Sequence, residues 1–142
     1  MKYDALKLEN QLCFPLYVCS KEIIKKYKPF LDGLGITYTQ YITLMALWQE
    51  DNVTLKYIGE KLYLDSGTLT PLLKKMEVQG LIVRQRSLTD ERNVYIKLTQ
   101  KGIELKDKAL AVPGQIGGCL NLSKEEATAL YDILYKLLNK FE

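Results

Sequence analysis

Three cysteines and no histidine set the chemistry open to this chain. Cys13 sits in the run Asn10-Gln11-Leu12-Cys13-Phe14-Pro15-Leu16-Tyr17, early in the first helical stretch. A cysteine among leucine and phenylalanine ordinarily fills a core. Its neighbours allow a second reading. Tyr17 follows four residues on and so shares its helix face. Pro15 removes one backbone donor and is expected to restrict or kink the helix beside the thiol. Near a helix start, unpaired amides and hydroxyl donors favour a thiolate without help from histidine. Cys19 falls well around the helix from Cys13 and is expected to be structural. Cys119 follows Gly117-Gly118 near the end of the sequence.

A second set of residues points to nucleic acid. Leu69, Leu72, Leu73 and Met76 recur at helical spacing and line one side. Thr68, Thr70, Lys74, Lys75 and Gln79 fall away from that stripe. Asp65 or Ser66 suits the cap, and Gly80 the stop. Beyond it, Leu81–Arg86 and Asn93–Leu98 alternate like two strands around a polar tip, Ser87–Arg92. A helix sized for the major groove beside a basic hairpin is the outline of a winged helix-turn-helix. On DNA, Ser66, Thr68 and Thr70 would meet base edges or phosphates. Pro71 and the threonine methyls would touch thymine methyls, and Lys74 and Lys75 would hold phosphate. Arg92 near the tip, with Arg84 and Arg86 at the base, would reach a minor groove. Asp90 would orient an arginine within that binding surface.

Composition bounds these readings. At 142 residues one domain is expected. A net charge of +3 argues little by itself. The clustering of Lys74, Lys75, Arg84, Arg86, Arg92 and Lys97 argues more, against the bland alternative of a solvated face. The cysteine spacings fit no zinc pattern, no Gly-rich loop cradles phosphate, and the usual general base of hydrolases is missing. Neither an enzyme nor a cofactor is expected. Apolar runs are too short to span a membrane, no charged-then-apolar leader opens the sequence, and the expected location is cytoplasmic.

The elements that must position these residues are mostly helical. A long helix is expected from about 6 to 32, with Leu6, Leu12, Leu16, Ile23, Tyr27 and Phe30 broadly on one side. Thr37 or Thr39 opens a second through Trp48, and Thr54 caps a third, Leu55–Leu62. Thr99 caps another from Gln100 to about Val112, closed by Pro113. Pro113–Gly118 reads as a mobile connector or a broken helix. Ser123-Lys124-Glu125-Glu126 is a capping box that starts the last helix. The whole, 1–142, is expected to be mainly α with a small β-hairpin wing. About 36–98 would form the winged helix-turn-helix, with about 6–35 and 99–142 as dimerisation helices. Intramolecular packing of those terminal helices is the alternative, but reading two half-sites needs two copies.

At Leu8–Phe14, Ile36-Thr37-Tyr38 with Gln40-Tyr41, Leu62–Lys74, and Asp90-Glu91-Arg92 with Leu98-Thr99, the chain resembles the MarR family of bacterial regulators. Within it, the resemblance is to the organic hydroperoxide resistance regulators (OhrR type). The resemblance implies a dimeric repressor of operator DNA whose sensor is Cys13. It also implies that Tyr27 and Tyr38 hydrogen-bond the reactive sulfur across the dimer interface, with Tyr17 as a third member. Organic hydroperoxide would be the oxidant, favoured by an apolar vestibule of Phe14, Leu16 and Tyr17. Family members use either an external small thiol or a second cysteine between subunits. Cys119 lies close to that second position, or is a spare cysteine at a helix end. The competing readings are a MarR-type repressor released by a small phenolic ligand with incidental cysteines, a thiol peroxidase, and an interaction module that binds no DNA.

Overall fold

A computed structural model of the chain describes residues 1–90 and 92–141; Glu91, in the expected wing tip, and Glu142 lie outside the described residues. Among the described residues seven α-helices and a small sheet follow one another: α1 (Cys13–Asp32), α2 (Tyr38–Gln49), β1 (Val53–Thr54), α3 (Leu55–Leu62), α4 (Ser66–Val78), β2 (Ile82–Arg86), β3 (Val94–Leu98), α5 (Gln100–Ala109), α6 (Val112–Leu120) and α7 (Lys124–Leu138). The sheet order is β1-β3-β2, antiparallel throughout, with Arg84 opposite Ile96 and Arg86 opposite Val94.

The helix starts follow from local chemistry. Thr37, Thr54, Asp65, Thr99 and Ser123 each cap a helix through a side-chain oxygen that accepts a first-turn amide. Thr37 with Gln40, and Ser123 with Glu126, close reciprocal capping boxes. Between these caps the apolar faces of α2, α3, α4 and the sheet meet in one core: Leu44, Leu47, Ile58, Leu69, Leu73, Met76 and Ile96 are fully buried. Trp48 pins α5 to that core by donating its indole N–H to the Gly102 carbonyl at 2.9 Å. Gly102 itself has to be glycine, since a Cβ there would overlap the Leu81 carbonyl oxygen.

Four expectations need correction. The first helix starts at Cys13, not near residue 6; two short 3-10 turns (Asp4–Leu6 and Leu8–Asn10) precede it. The Gln11 side chain donates to the carbonyls of Ala5 and Lys7 at 2.7 and 2.8 Å and takes up groups that a helix would have used. Pro15 consequently lies in the first turn of α1, where its missing N–H costs no helical bond, and the expected kink has no cause; Pro29 is the proline inside that helix. Pro113–Gly118 belongs to α6, which packs along α1 and buries Val112 and Ile116, so tertiary burial outweighs two adjacent glycines. Finally, β1 joins the sheet edge with two residues, too short to leave a period-two pattern.

Candidate nucleic-acid interface and thiol site

The turn between α3 and α4 is tight. Tyr63 closes α3 in the left-handed conformation at φ 57°, and the Leu64 amide donates back to the Gly59 carbonyl at 2.9 Å. A Cβ on Gly59 would come within 2.9 Å of the Leu64 carbonyl oxygen, so the glycine permits the two helices to approach. Asp65 then accepts the Thr68 amide at 2.8 Å; these bonds at the start of α4 hold its carboxyl below the usual aspartate value. From this cap α4 presents Ser66, Thr68, Pro71, Lys74 and Lys75 to solvent, with Thr70 half-buried at the edge. Gln79, expected on the open face, instead turns inward and accepts the Gln40 side-chain N–H at 2.8 Å.

The hairpin behind α4 sorts its arginines into different environments. Arg84 is drawn back onto α4: its guanidinium pairs with Glu77 at 3.2 Å and its amide donates to the same carboxylate at 3.0 Å. Those bonds hold the Glu77 carboxyl below its ordinary range. Arg86, near the tip, and Lys97, on β3, are exposed. In the tip, Ser87 accepts the amides of Thr89 and Asp90 at 3.2 Å each, which folds the turn. Asp90 accepts both the Arg92 amide at 3.0 Å and its Nε–H at 3.2 Å. The Arg92 guanidinium is thus oriented from behind while its side chain stays 91% exposed. An exposed hydroxyl-and-lysine helix face beside an oriented arginine is a surface that meets a polyanion with donors and positive charge.

The cysteines lie on α1 and α6. Cys13 is the first residue of α1 and Cys119 lies in the last turn of α6; both are exposed, as is Cys19. Tyr17, one turn beyond Cys13, is exposed with the Lys21 ammonium 4.6 Å above its ring. Tyr27 and Tyr38 stand together elsewhere, ring centroids 4.8 Å apart, and Tyr41 completes a cluster at 5.9 and 6.4 Å from them. Burial pushes all three phenols above the usual tyrosine value, so each remains an O–H donor at neutral pH. Fourteen residues of helix separate Cys13 from Tyr27, a rise of about 21 Å. One chain therefore does not bring its own Cys13 to its own tyrosine cluster.

Beside that cluster lies a cleft of about 240 Å³, lined by Ile24, Leu31, Ile36 and Tyr38 with Lys25 and Lys28 at its edge. Phe14, Leu16 and Tyr17, expected to form an apolar vestibule, are exposed on the single chain. Tyr41 carried no assigned role in the sequence reading; its spacing of three from Tyr38 on one helix was the available signal.

Comparison with known proteins places these features. Residues 25–109 match the family model described as transcriptional regulator SarA/Rot. The chain is 56% identical over 137 residues to the organic hydroperoxide resistance transcriptional regulator of Bacillus subtilis (strain 168), covering 96% of this chain and 93% of that protein. Reduced AbfR bound to DNA aligns at a TM-score of 0.79 and 38% identity over 99% of both chains; AbfR is a protein of Staphylococcus epidermidis. Its disulfide-formed structure aligns at 0.66, with 38% identity over 97% of both chains. A mutant MarR from E. coli complexed with operator DNA aligns at 0.82 and 25% identity, across 89% of this chain and 93% of that one.

Proposed function

This chain belongs to the MarR/SarA transcriptional regulators of the organic hydroperoxide resistance type, and from that premise we propose that it is a peroxide-sensing repressor working as a homodimer. The terminal segments at about 6–35 and 99–142 pair the copies, and the winged unit at about 36–98 reads DNA. Reduced, the dimer sets two α4 helices into successive major grooves of a pseudo-palindromic operator. Ser66, Thr68, Thr70 and Pro71 face base edges, Lys74 and Lys75 face phosphate, and Arg86 and Arg92 face the flanking minor groove. Arg84, tied to Glu77, braces the wing against α4.

An organic hydroperoxide then reacts at Cys13. The thiolate sulfur attacks the terminal peroxide oxygen; an S–O bond forms, the O–O bond breaks, and the alcohol leaves after taking a proton. Sulfur ends as sulfenic acid, oxidised by two electrons while the peroxide is reduced by two. The partner's Cys119 attacks that sulfur, an S–S bond forms, and water departs. Tyr27 and Tyr38 of the opposite copy donate their O–H groups to the reacting sulfur. The observation that carries this reading is the span of α1: Cys13 opens the helix, while Tyr27, with Tyr38 of α2 packed beside it, lies about 21 Å further along, so the site is complete only where a second copy runs antiparallel to the first. A second support is the similarity to AbfR, which has been solved reduced on DNA and in a disulfide-formed state.

Gel shifts test it, using an operator duplex selected from random DNA by the reduced protein. Cumene hydroperoxide is expected to release wild type and leave Cys13→Ser bound. Loss of the non-reducing dimer band in Cys119→Ser assigns the second cysteine. DNA binding indifferent to hydroperoxide would sink the redox reading and favour release by a small phenolic ligand.

A further inference from the structure

The first turn of α2 links two parts of the molecule. Tyr38 and Tyr41, which the proposed site sets against the partner's thiol, flank Gln40, which is 1% exposed. The Gln40 side-chain oxygen accepts the Thr37 amide at 3.1 Å, and its Nε2 donates to Gln79 Oε1 at 2.8 Å. Gln79 is the C-terminal capping residue of α4, on the reading side. Its carbonyl accepts the Lys101 ammonium at 2.8 Å, and its side-chain N–H leans on the Gly35 carbonyl at 3.5 Å. Gly35, at φ +73°, forms the bend between α1 and α2. The far end of the reading helix is thus fastened by polar bonds to the turn that carries the tyrosines.

We propose that the Gln40–Gln79 pair is the joint through which the state of the thiol site reaches the reading helix, a positioning role that rests on the peroxide-sensing reading above. A buried amide pair adds little net stability over apolar groups of the same shape. It does fix one relative placement of two helices, where apolar contacts alone permit sliding. Tyr38 is two residues from Gln40 within the same capped turn, so a displaced Tyr38 carries Gln40 with it. Gln40 in turn pulls on the C-terminal cap of α4. That helix has 13 residues, a lever about 20 Å long, so a tilt of about 5° at the cap moves its base-reading end by about 1.7 Å. Because two half-sites are read at once, such a displacement is felt twice.

The test is the ratio of operator dissociation constants for hydroperoxide-treated and reduced protein, measured by fluorescence anisotropy. Gln79→Met keeps the length and removes the bond from a half-buried position; Gln40→Met, which leaves no orphaned amide on the buried side, serves as a second variant. Mass spectrometry counts oxidised Cys13 in each sample. The expected result is a ratio about fivefold smaller than in wild type, the worth of one uncharged hydrogen bond, with Cys13 oxidised to the same extent. Gln79→Glu keeps an acceptor for Gln40 and is expected to restore the ratio to within about twofold. An unchanged ratio in Gln79→Met, or equal weakening of both states, overturns the joint while the peroxide reading stands. Failure of hydroperoxide to release wild type overturns both.

Discussion

Helices α4 and α7 carry the same kind of apolar stripe and meet opposite fates. On α4, Leu69, Leu73 and Met76 are wholly buried against α2, α3 and the sheet. On α7, Leu130, Leu134 and Leu137 recur at the same spacing yet stay 43%, 38% and 39% exposed, with Ile133 at 63%. Periodicity fixes which face of a helix is apolar; it does not say what that face meets. Within the winged unit the chain supplies its own cover. Around α7 it does not, and an apolar surface of that extent marks an interaction site. In the proposed dimer the second copy is that cover.

The contrast can be broken most forcefully at α7. Leu134→Glu is expected to raise the dimer dissociation constant about a thousandfold, because an unpaired carboxylate buried in an interface costs about 3–5 kcal/mol. Sedimentation equilibrium would show monomers with unchanged helical circular dichroism; a dimer of undiminished strength would remove α7 from the interface. Leu73→Ala is expected to act the other way. It should leave the interface alone and destabilise the winged unit by about 2–5 kcal/mol, read from the urea midpoint. Acid sharpens the comparison with the smallest effect. The depressed carboxyls of Asp65, Glu77 and Asp90 lie in the winged unit, against Glu126 alone on α7. A carboxyl whose folded-state value lies below its unfolded one contributes stability above the unfolded value and loses it as pH falls through the folded one. Melting temperature should therefore hold down to about pH 5 and decline below about pH 4. In Glu77→Gln that decline should be shallower; an identical decline would separate the Arg84 brace from acid sensitivity.

Much of the winged unit was legible because its determinants are local. The stripe Leu69, Leu73, Met76, the caps at Thr54, Asp65 and Thr99, and the alternation through β2 and β3 all lie within a few residues of what they specify. The start of α1 was not, because Gln11 folds back on Ala5 and Lys7 and ends the helical pattern that Leu6 and Leu12 imitate. Nor was α6: Gly117-Gly118 reads as a breaker until Val112 and Ile116 are seen packed, a tertiary fact. At the proposed site, Cys13 stood out through its neighbours Tyr17 and Pro15, whereas the roles of Tyr27 and Tyr38 rest on family resemblance and not on spacing. Gln40 and Gln79 stand 39 positions apart, and no local pattern links them.

The length of α1 has a genetic consequence. In the proposed dimer each sensing site takes its sulfur from one chain and its phenols from the other. A Cys13→Ser chain and a chain with Tyr27 and Tyr38 both changed to Phe would each be blind to peroxide as homodimers. Expressed together, half of their dimers by random pairing would be mixed. Every mixed dimer would hold one site with both defects and one with neither. Two peroxide-blind chains would thus assemble one complete sensing site between them.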